Sequence, residues 1–417
     1  MKQIKIEGGH TLTGTINISG AKNSAVALVP ASLLSDEEVT IDNIPNISDI
    51  DALNEILEYL GATVKKEGSL MSIDSRNIVN KEIPEEISKK LRASYYFMSA
   101  LLGKYKKVEM YFPGGCSIGA RPIDQTLKTF KALGANVIED GNKYLITADT
   151  LKGATIQLDM PSVGATINTL LVATKAEGVT ILKNAAKEPE IVSVATFLNN
   201  MGANIVGAGT SKITITGVKH LGSCFTEVIP DRIEAGTYLI AGALIGENLT
   251  IKNIIPEHIS SLIEKLKEMG LDMEIGKDYI TISKTKNLKP IKVKTLGYPG
   301  FPTDLQQPLT TLLTQAEGIS VLEETIYENR FQNVKYLNKM GANIEINEKT
   351  ITIKGKTNLE GTQVEATDLR AGACMVLAGL IANGTTTITE IKHVLRGYEN
   401  IIGKLQNVGA KIIEEEI

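Results

Sequence analysis

One glycine-punctuated phrase returns six times along these 417 residues, and that repetition constrains the fold more than any composition does. LGATVKKEGSLMSID (60–74) recurs as LGANVIEDGNKYLITA (133–148), MGANIVGAGTSKITITG (201–217), MGLDMEIGKDYITISK (269–284), MGANIEINEKTITIKG (340–355) and VGAKIIEEEI (408–417). The shared glycines are Gly61, Gly134, Gly202, Gly270, Gly341 and Gly409, at intervals of 68 to 73 residues. Before each comes an amphipathic helical pattern, as in DALNEILEYL (51–60) and SSLIEKLKEM (260–269). The glycine stops that helix in the left-handed conformation that it alone adopts cheaply. Two alternating strands then follow, as in ANIEI and TITIKG.

A second kind of helix precedes this phrase. NSAVALVPASLL, SVGATINTLLVATKA, RIEAGTYLIAGALI and LRAGACMVLAGLIA are apolar on most faces, which predicts burial on every side. These helices begin near residues 21, 91, 163, 232, 305 and 369, and a strand such as GVTILKN leaves each one. The unit is therefore buried helix, strand, surface helix, strand, strand. Six units predict an α/β architecture with helices inside and sheets outside, unlike a doubly wound fold. The length suits two domains. Three units each puts one domain at 22–229 and the other at 1–21 plus 230–417, with the N-terminal strand packing in the C-terminal half.

Several functions are excluded by what is missing. A net charge of −4 gives no general field for nucleic acid or an anionic membrane. The longest apolar stretches, TYLIAGALIG (237–246) and ACMVLAGLIA (373–382), are about half the length that spans a bilayer. MKQIKIEGGH carries no apolar signal core. Three cysteines (116, 224, 374) without CxxC spacing argue against disulfides or a zinc site and for a reducing, cytoplasmic setting. GGHTLTG (8–14) lacks the later glycine of a dinucleotide loop and has no evident strand before it, and no phosphate-binding P-loop is present. The acidic run at the C-terminus reads as a solvated tail.

Charged residues gather where the buried helices begin: Lys22 and Asn23, Arg92, Ser162, Asp231 and Arg232, Asp304, Asp368 and Arg370. The other strand-to-helix joint carries Arg121, Arg330 and Arg396, and Arg121 and Arg396 occupy equivalent points of two copies. Helix N-termini favour anions, and the arginine fork suits phosphate and carboxylate. Singly, such residues also serve as caps and ion-pair partners. Together they point to a shared anion site. The loop YFPGGCSIGARPID (111–124) adds a lone thiol, Cys116, to this setting; neighbouring cations lower a thiol's pKa and raise its reactivity. Two glycines allow the loop to act as a lid. Cys374, inside AGACMVLAG, reads as packing.

ISGAKNSA, LRAS, PGGCSIGARPID, PSVGAT, AAKEPEIV, PDRIEAGT, FPTDLQ, ENRF, ATDLRA and RGYE together resemble, over essentially the whole chain, the UDP-N-acetylglucosamine 1-carboxyvinyltransferases of the enolpyruvyl transferase family. The resemblance implies a two-domain inside-out α/β barrel with the active site in the interdomain cleft. It implies transfer of the enolpyruvyl group of phosphoenolpyruvate to the 3′-hydroxyl of UDP-N-acetylglucosamine, by addition and elimination, with no cofactor. Cys116 looks like the acid, and the thiol expected to react with the epoxide fosfomycin. Asp304 looks like the base, and Lys22 and Arg396 complete the expected catalytic set. Lys22, Asn23, Arg121, Arg330, Arg370 and Arg396 are expected at phosphoenolpyruvate. The UDP-sugar is expected against Asn23, Arg92, Arg121, Pro122, Ile123, Asp124 and Gln125, against Ser162, Val163 and Gly164, and near Asp304 and Ile326. Met160 stands where some members carry a lysine, which puts one diphosphate contact in doubt. Two other readings stay open. One is the shikimate-pathway enolpyruvyl transferase, which lacks the cysteine loop; the other is a non-catalytic scaffold or UDP-sugar sensor.

Overall fold

The computed structural model describes residues 2–114 and 122–416; Cys116 and Arg121 lie outside them. The described chain divides into two compact units, one of residues 20–114 with 122–229, the other of residues 2–19 with 230–416.

In the first unit the apolar helices are Lys22–Ala31, Tyr96–Tyr105 and Val163–Ala173. The middle one touches both others. In the second unit Arg232–Ile245, Gln306–Leu313 and Leu369–Ile381 touch one another pairwise. Each set has its own aliphatic core, with Leu28, Phe97 and Leu170 in one and Leu239, Leu309 and Leu377 in the other. Buried on every side, these helices are covered on the outside by sheets and amphipathic helices, giving each unit an inside-out α/β arrangement.

The glycine stops are real. All six repeat glycines have φ between +90° and +105°. At Gly61 the chain turns back so that the amides of Gly61 and Ala62 donate to the carbonyls of Glu58 and Leu57, both at 2.9 Å. The following hairpin pairs antiparallel with the strand that leaves the buried helix, as in Val39↔Ile73 and Ile181↔Thr214.

Two features went unseen in the sequence, and a third, the packing of the N-terminal strand with the C-terminal half, was expected. A short strand lies parallel to the strand leaving the buried helix in five of the sheets. In two cases that strand is exchanged between chain segments: Leu12–Asn17 pairs with Gly246–Lys252, and Phe225–Glu227 with Val39–Asp42. Third, the sixth copy contributes one hairpin strand, Lys411–Glu416. The N-terminal strand Lys2–Glu7 lies between Thr385–Thr389 and Lys411–Glu416. Two expectations are thereby corrected. A strand does precede GGHTLTG, and the acidic run is an edge strand rather than a tail. Ile412 is buried, while Glu414 and Glu415 pair with Lys2 and Lys5 across the ladder. Charge on that edge discourages pairing with another chain.

Where the chain passes from one unit to the other, its two passages run side by side. Asp231 donates its amide to Ser19 O (2.9 Å), and Ala21 donates to Ile229 O (2.7 Å). The buried Glu234 carboxylate accepts from the Ser19 amide (2.8 Å) and from Lys404 Nζ (2.6 Å), which also bonds Ser19 Oγ (2.6 Å). Burial outweighs the lysine and pushes the Glu234 carboxyl up to about 7.

Two outcomes follow from this architecture. Gly202→Ala meets nothing within 4 Å, so only left-handed strain remains, roughly 1–2 kcal/mol. Gly61→Ala additionally brings its Cβ to 2.9 Å from Asn77 O and is the more destabilising in urea unfolding. For Glu234, the folded carboxyl holds its proton to a higher pH than the unfolded one. Its contribution to stability is therefore full below about 4.5 and falls as pH rises towards about 7. The stability of the native chain minus that of Glu234→Gln decreases between pH 5 and 7; a constant difference would show a carboxylate already ionised throughout.

Candidate functional site

In the second unit, three of the expected residues meet. Asp304 lies in the turn Thr303–Leu305 that opens the helix Gln306–Leu313. Its Oδ1 accepts from Arg330 Nη2 at 2.8 Å and its Oδ2 from Arg370 Nη2 at 2.9 Å. Both arginines are nearly fully buried, at 4% and 3% exposure, while the Asp304 side chain keeps 23%. Burial by itself would raise the Asp304 pKa, but Arg370 and Arg330 overcome it and hold the carboxyl well below its ordinary range. Each aspartate oxygen thus accepts a hydrogen bond from a different arginine. Arg330 Nη1 also donates to Thr303 Oγ1 at 2.8 Å, and its guanidinium lies 5.0 Å from the Tyr327 ring centre. Arg370 lies 5.4 Å from the ring of buried Tyr398.

Local sequence explains these positions. Asp368 caps the Leu369 helix, accepting from the amides of Arg370 (2.8 Å) and Ala371 (3.0 Å), and so fixes the first turn that carries Arg370. Asp231 caps the Arg232 helix in the same way. For these two aspartates the capping interpretation is the right one. Arg396 is half-buried at the end of the short helix Lys392–Leu395. Ile326 is exposed in the loop after the strand Gly318–Glu323, with its amide bonded to Glu324 Oε1 at 2.8 Å.

In the first unit, Lys22 opens its helix and is buried against Asp49, Nζ to Oδ2 2.8 Å. Asn23 follows it, half-buried. Arg92, in the turn Arg92–Tyr95, stacks over Phe112 (5.1 Å) and Tyr95 (5.7 Å). Ser162 caps the Val163 helix through the Ala165 amide, 3.2 Å. A Cβ on Gly164 would fall 1.7 Å from the Tyr95 hydroxyl, so a glycine there lets Tyr95 seat between two expected binding segments. Pro122 and Asp124 are exposed and Ile123 is buried. Gln125 bonds Asp159 both ways, Nε2 to Oδ2 2.8 Å and Oε1 from the Asp159 amide 2.9 Å. Met160, beside Asp159, is 63% exposed.

The other thiols behave as packing. Cys374 is buried beside Thr311, and burial pushes it up to about 12; burial raises Cys224 to about 11. Thr303, Glu324, Asp49, Tyr95 and Asp159 were not anticipated. Asp49 had one available signal, an acid in the first turn of a surface helix facing the lysine that opens a buried one.

The family described as EPSP synthase (3-phosphoshikimate 1-carboxyvinyltransferase) matches residues 6–405. UDP-N-acetylglucosamine 1-carboxyvinyltransferase 2 of Bacillus subtilis (strain 168) is 51% identical, over 100% of this chain and 97% of its own. That of Listeria monocytogenes is also 51% identical, over 98% and 96%. The chain belongs to the enolpyruvyl transferase family. Its fold is accordingly that of the crystal structure of the family member NikO from Streptomyces tendae, with a TM-score of 0.90, 27% identity and 99% of both chains covered. EPSP synthase from Acinetobacter baumannii shares the fold at TM-score 0.76 and 20% identity. Among the described residues of this family member, no helix is long and apolar enough to cross a membrane.

Replacing the acid at the centre of the arginine pair tests the geometry directly. Asp304→Asn leaves two buried guanidinium groups without their shared anion and costs on the order of 3 kcal/mol in urea unfolding. A loss below about 0.5 kcal/mol, the scale of a surface pair, would contradict the contact described.

Proposed function

We propose that the chain transfers the enolpyruvyl group of phosphoenolpyruvate to the 3′-hydroxyl of UDP-N-acetylglucosamine and releases phosphate, the first committed step of peptidoglycan precursor synthesis. The observation that carries this reading is identity at half of all positions, along the full chain, with proteins named for that reaction.

The chemistry asks for a few groups. In the addition, the phosphoenolpyruvate methylene carbon gains a proton, its C2 forms a bond to the sugar oxygen, and the hydroxyl loses its proton. In the elimination, the methyl group gives a proton back, the C2–O bond to phosphate breaks, and the double bond re-forms. Cys116 supplies the proton and Asp304 accepts the one from the hydroxyl. Held ionised by two arginines, Asp304 is a weak base towards a free alcohol. It takes the proton as the C2–O bond forms and the alcohol becomes acidic. Lys22, Asn23, Arg121, Arg330, Arg370 and Arg396 bind the carboxylate and phosphate, offsetting charge that builds on the ketal intermediate. The UDP-sugar is held by Asn23, Arg92, Arg121 to Gln125, Ser162 to Gly164, Asp304 and Ile326. No membrane or nucleic acid enters the reaction, which suits a cytoplasmic enzyme.

Phosphate release from phosphoenolpyruvate, measured with either UDP-N-acetylglucosamine or shikimate 3-phosphate, tests the reading. Release that depends on the UDP-sugar, lost in Cys116→Ala at unchanged melting temperature and blocked when fosfomycin adds its mass at Cys116, is the expected result. Release with shikimate 3-phosphate alone assigns the shikimate-pathway reaction instead.

A further inference from the structure

The repeat provides its own internal control for one residue. In three copies, the residue just after the strand leaving the buried helix is an asparagine: Asn43, Asn184 and Asn253. All three have left-handed backbones, with φ of 56°, 57° and 60°. Each donates its side-chain Nδ2 to the carbonyl of the residue just after the parallel neighbour strand: Val228 (2.9 Å), Leu158 (3.0 Å) and Ile18 (2.8 Å). This is a structural clasp, satisfied by a donor.

The fifth copy has Glu324 at this point, after the strand Gly318–Glu323, and the corresponding neighbour is Thr295, after Lys292–Lys294. A carboxylate reverses the clasp, because it only accepts. Glu324 is 1% exposed and takes four hydrogen bonds. Oε1 accepts from Thr295 Oγ1 (2.9 Å) and from the amides of Ile326 (2.8 Å) and Tyr327 (3.2 Å). Oε2 accepts from Thr303 Oγ1 (2.8 Å). With its only proton given to Glu324, the Thr303 hydroxyl has lone pairs left for Arg330 Nη1, and Arg330 Nη2 holds Asp304. A buried charge is costly unless its partners repay it. The sixth copy also carries a glutamate at this point, Glu390, but that side chain is 34% exposed and pairs with Lys392; the buried charge is the fifth copy's and calls for a function.

We propose that Glu324 is a positioning residue: through the Thr303 hydroxyl it fixes the guanidinium of Arg330 and so the carboxylate of Asp304, while its other oxygen shapes the Ile326 loop. The relay makes the Thr303 hydroxyl a donor in one direction and an acceptor in the other, so its polarity is set by Glu324. This rests on the transferase reading, in which Asp304 meets the sugar hydroxyl.

The test compares Thr303→Val, Thr303→Ser, Glu324→Gln and the double variant Thr303→Val/Glu324→Gln by steady-state phosphate release, with a melting curve for each. Thr303→Val and Glu324→Gln each lower kcat about 10- to 100-fold, the scale of a misplaced catalytic group. The double variant is no worse than the poorer single one, and Thr303→Ser restores turnover. Independent, multiplicative losses, or a serine variant as slow as the valine one, would overturn the relay. The Ser and Val pair decides the matter even where Glu324→Gln does not fold, since unchanged kcat in Thr303→Val also overturns it. The native chain is assayed with both acceptors; failure with the UDP-sugar removes the functional reading, and the variants are then scored with the acceptor that turns over.

Discussion

A helix apolar on most faces has to be enclosed, and most of this structure follows from enclosing six buried helices. Leu28, Leu170 and Leu377 lie at zero to two per cent exposure on helices that are apolar on most faces, and Leu309 is as buried on a helix whose glutamines and threonines are buried too. Sheets and amphipathic helices can cover such helices only from outside, which reverses the usual order of an α/β protein. Polar chemistry is consequently confined to helix ends, where the backbone itself is unsatisfied. Lys22, Arg92, Ser162, Asp304 and Arg370 all sit in first turns for this reason.

At those ends, charge is used in two distinct ways. Asp231 and Asp368 close their own helices and become part of the scaffold. Asp304 turns away from such local duty and binds two arginines contributed by later segments. The result is a carboxylate held ionised between two buried guanidinium groups. Holding it there requires an outer layer, in which Thr303, Glu324 and Thr295 convert a strand junction into a support.

Local physics made the helix starts and glycine stops legible, because each depends on residues within one turn. Residue types at the site were legible too: Asp304, Arg330 and Arg370 stood out by their place in the repeat. Their mutual contact was not, since it joins segments far apart in sequence. Nothing in the sequence marks Glu324, and only the comparison with Asn43, Asn184 and Asn253 in space separates it. The parallel strands escaped notice because three residues such as Phe225–Glu227 carry no period of their own. The acidic end of the chain misled for a related reason: alternation in KIIEEE is weak, and the partner that makes it a strand lies at the opposite terminus.

That pairing of the two ends carries a consequence for how the protein is made. Lys2–Glu7 is an interior strand of its sheet, yet both of its neighbours, Thr385–Thr389 and Lys411–Glu416, are synthesised only after the whole of residues 20–229. Residues 20–229 contain all the strands their own unit needs and are free to fold while the remainder is still being synthesised. Throughout that interval Ile4 and Ile6 wait without the strands that bury them, so this sheet closes only once Lys411–Glu416 has been made.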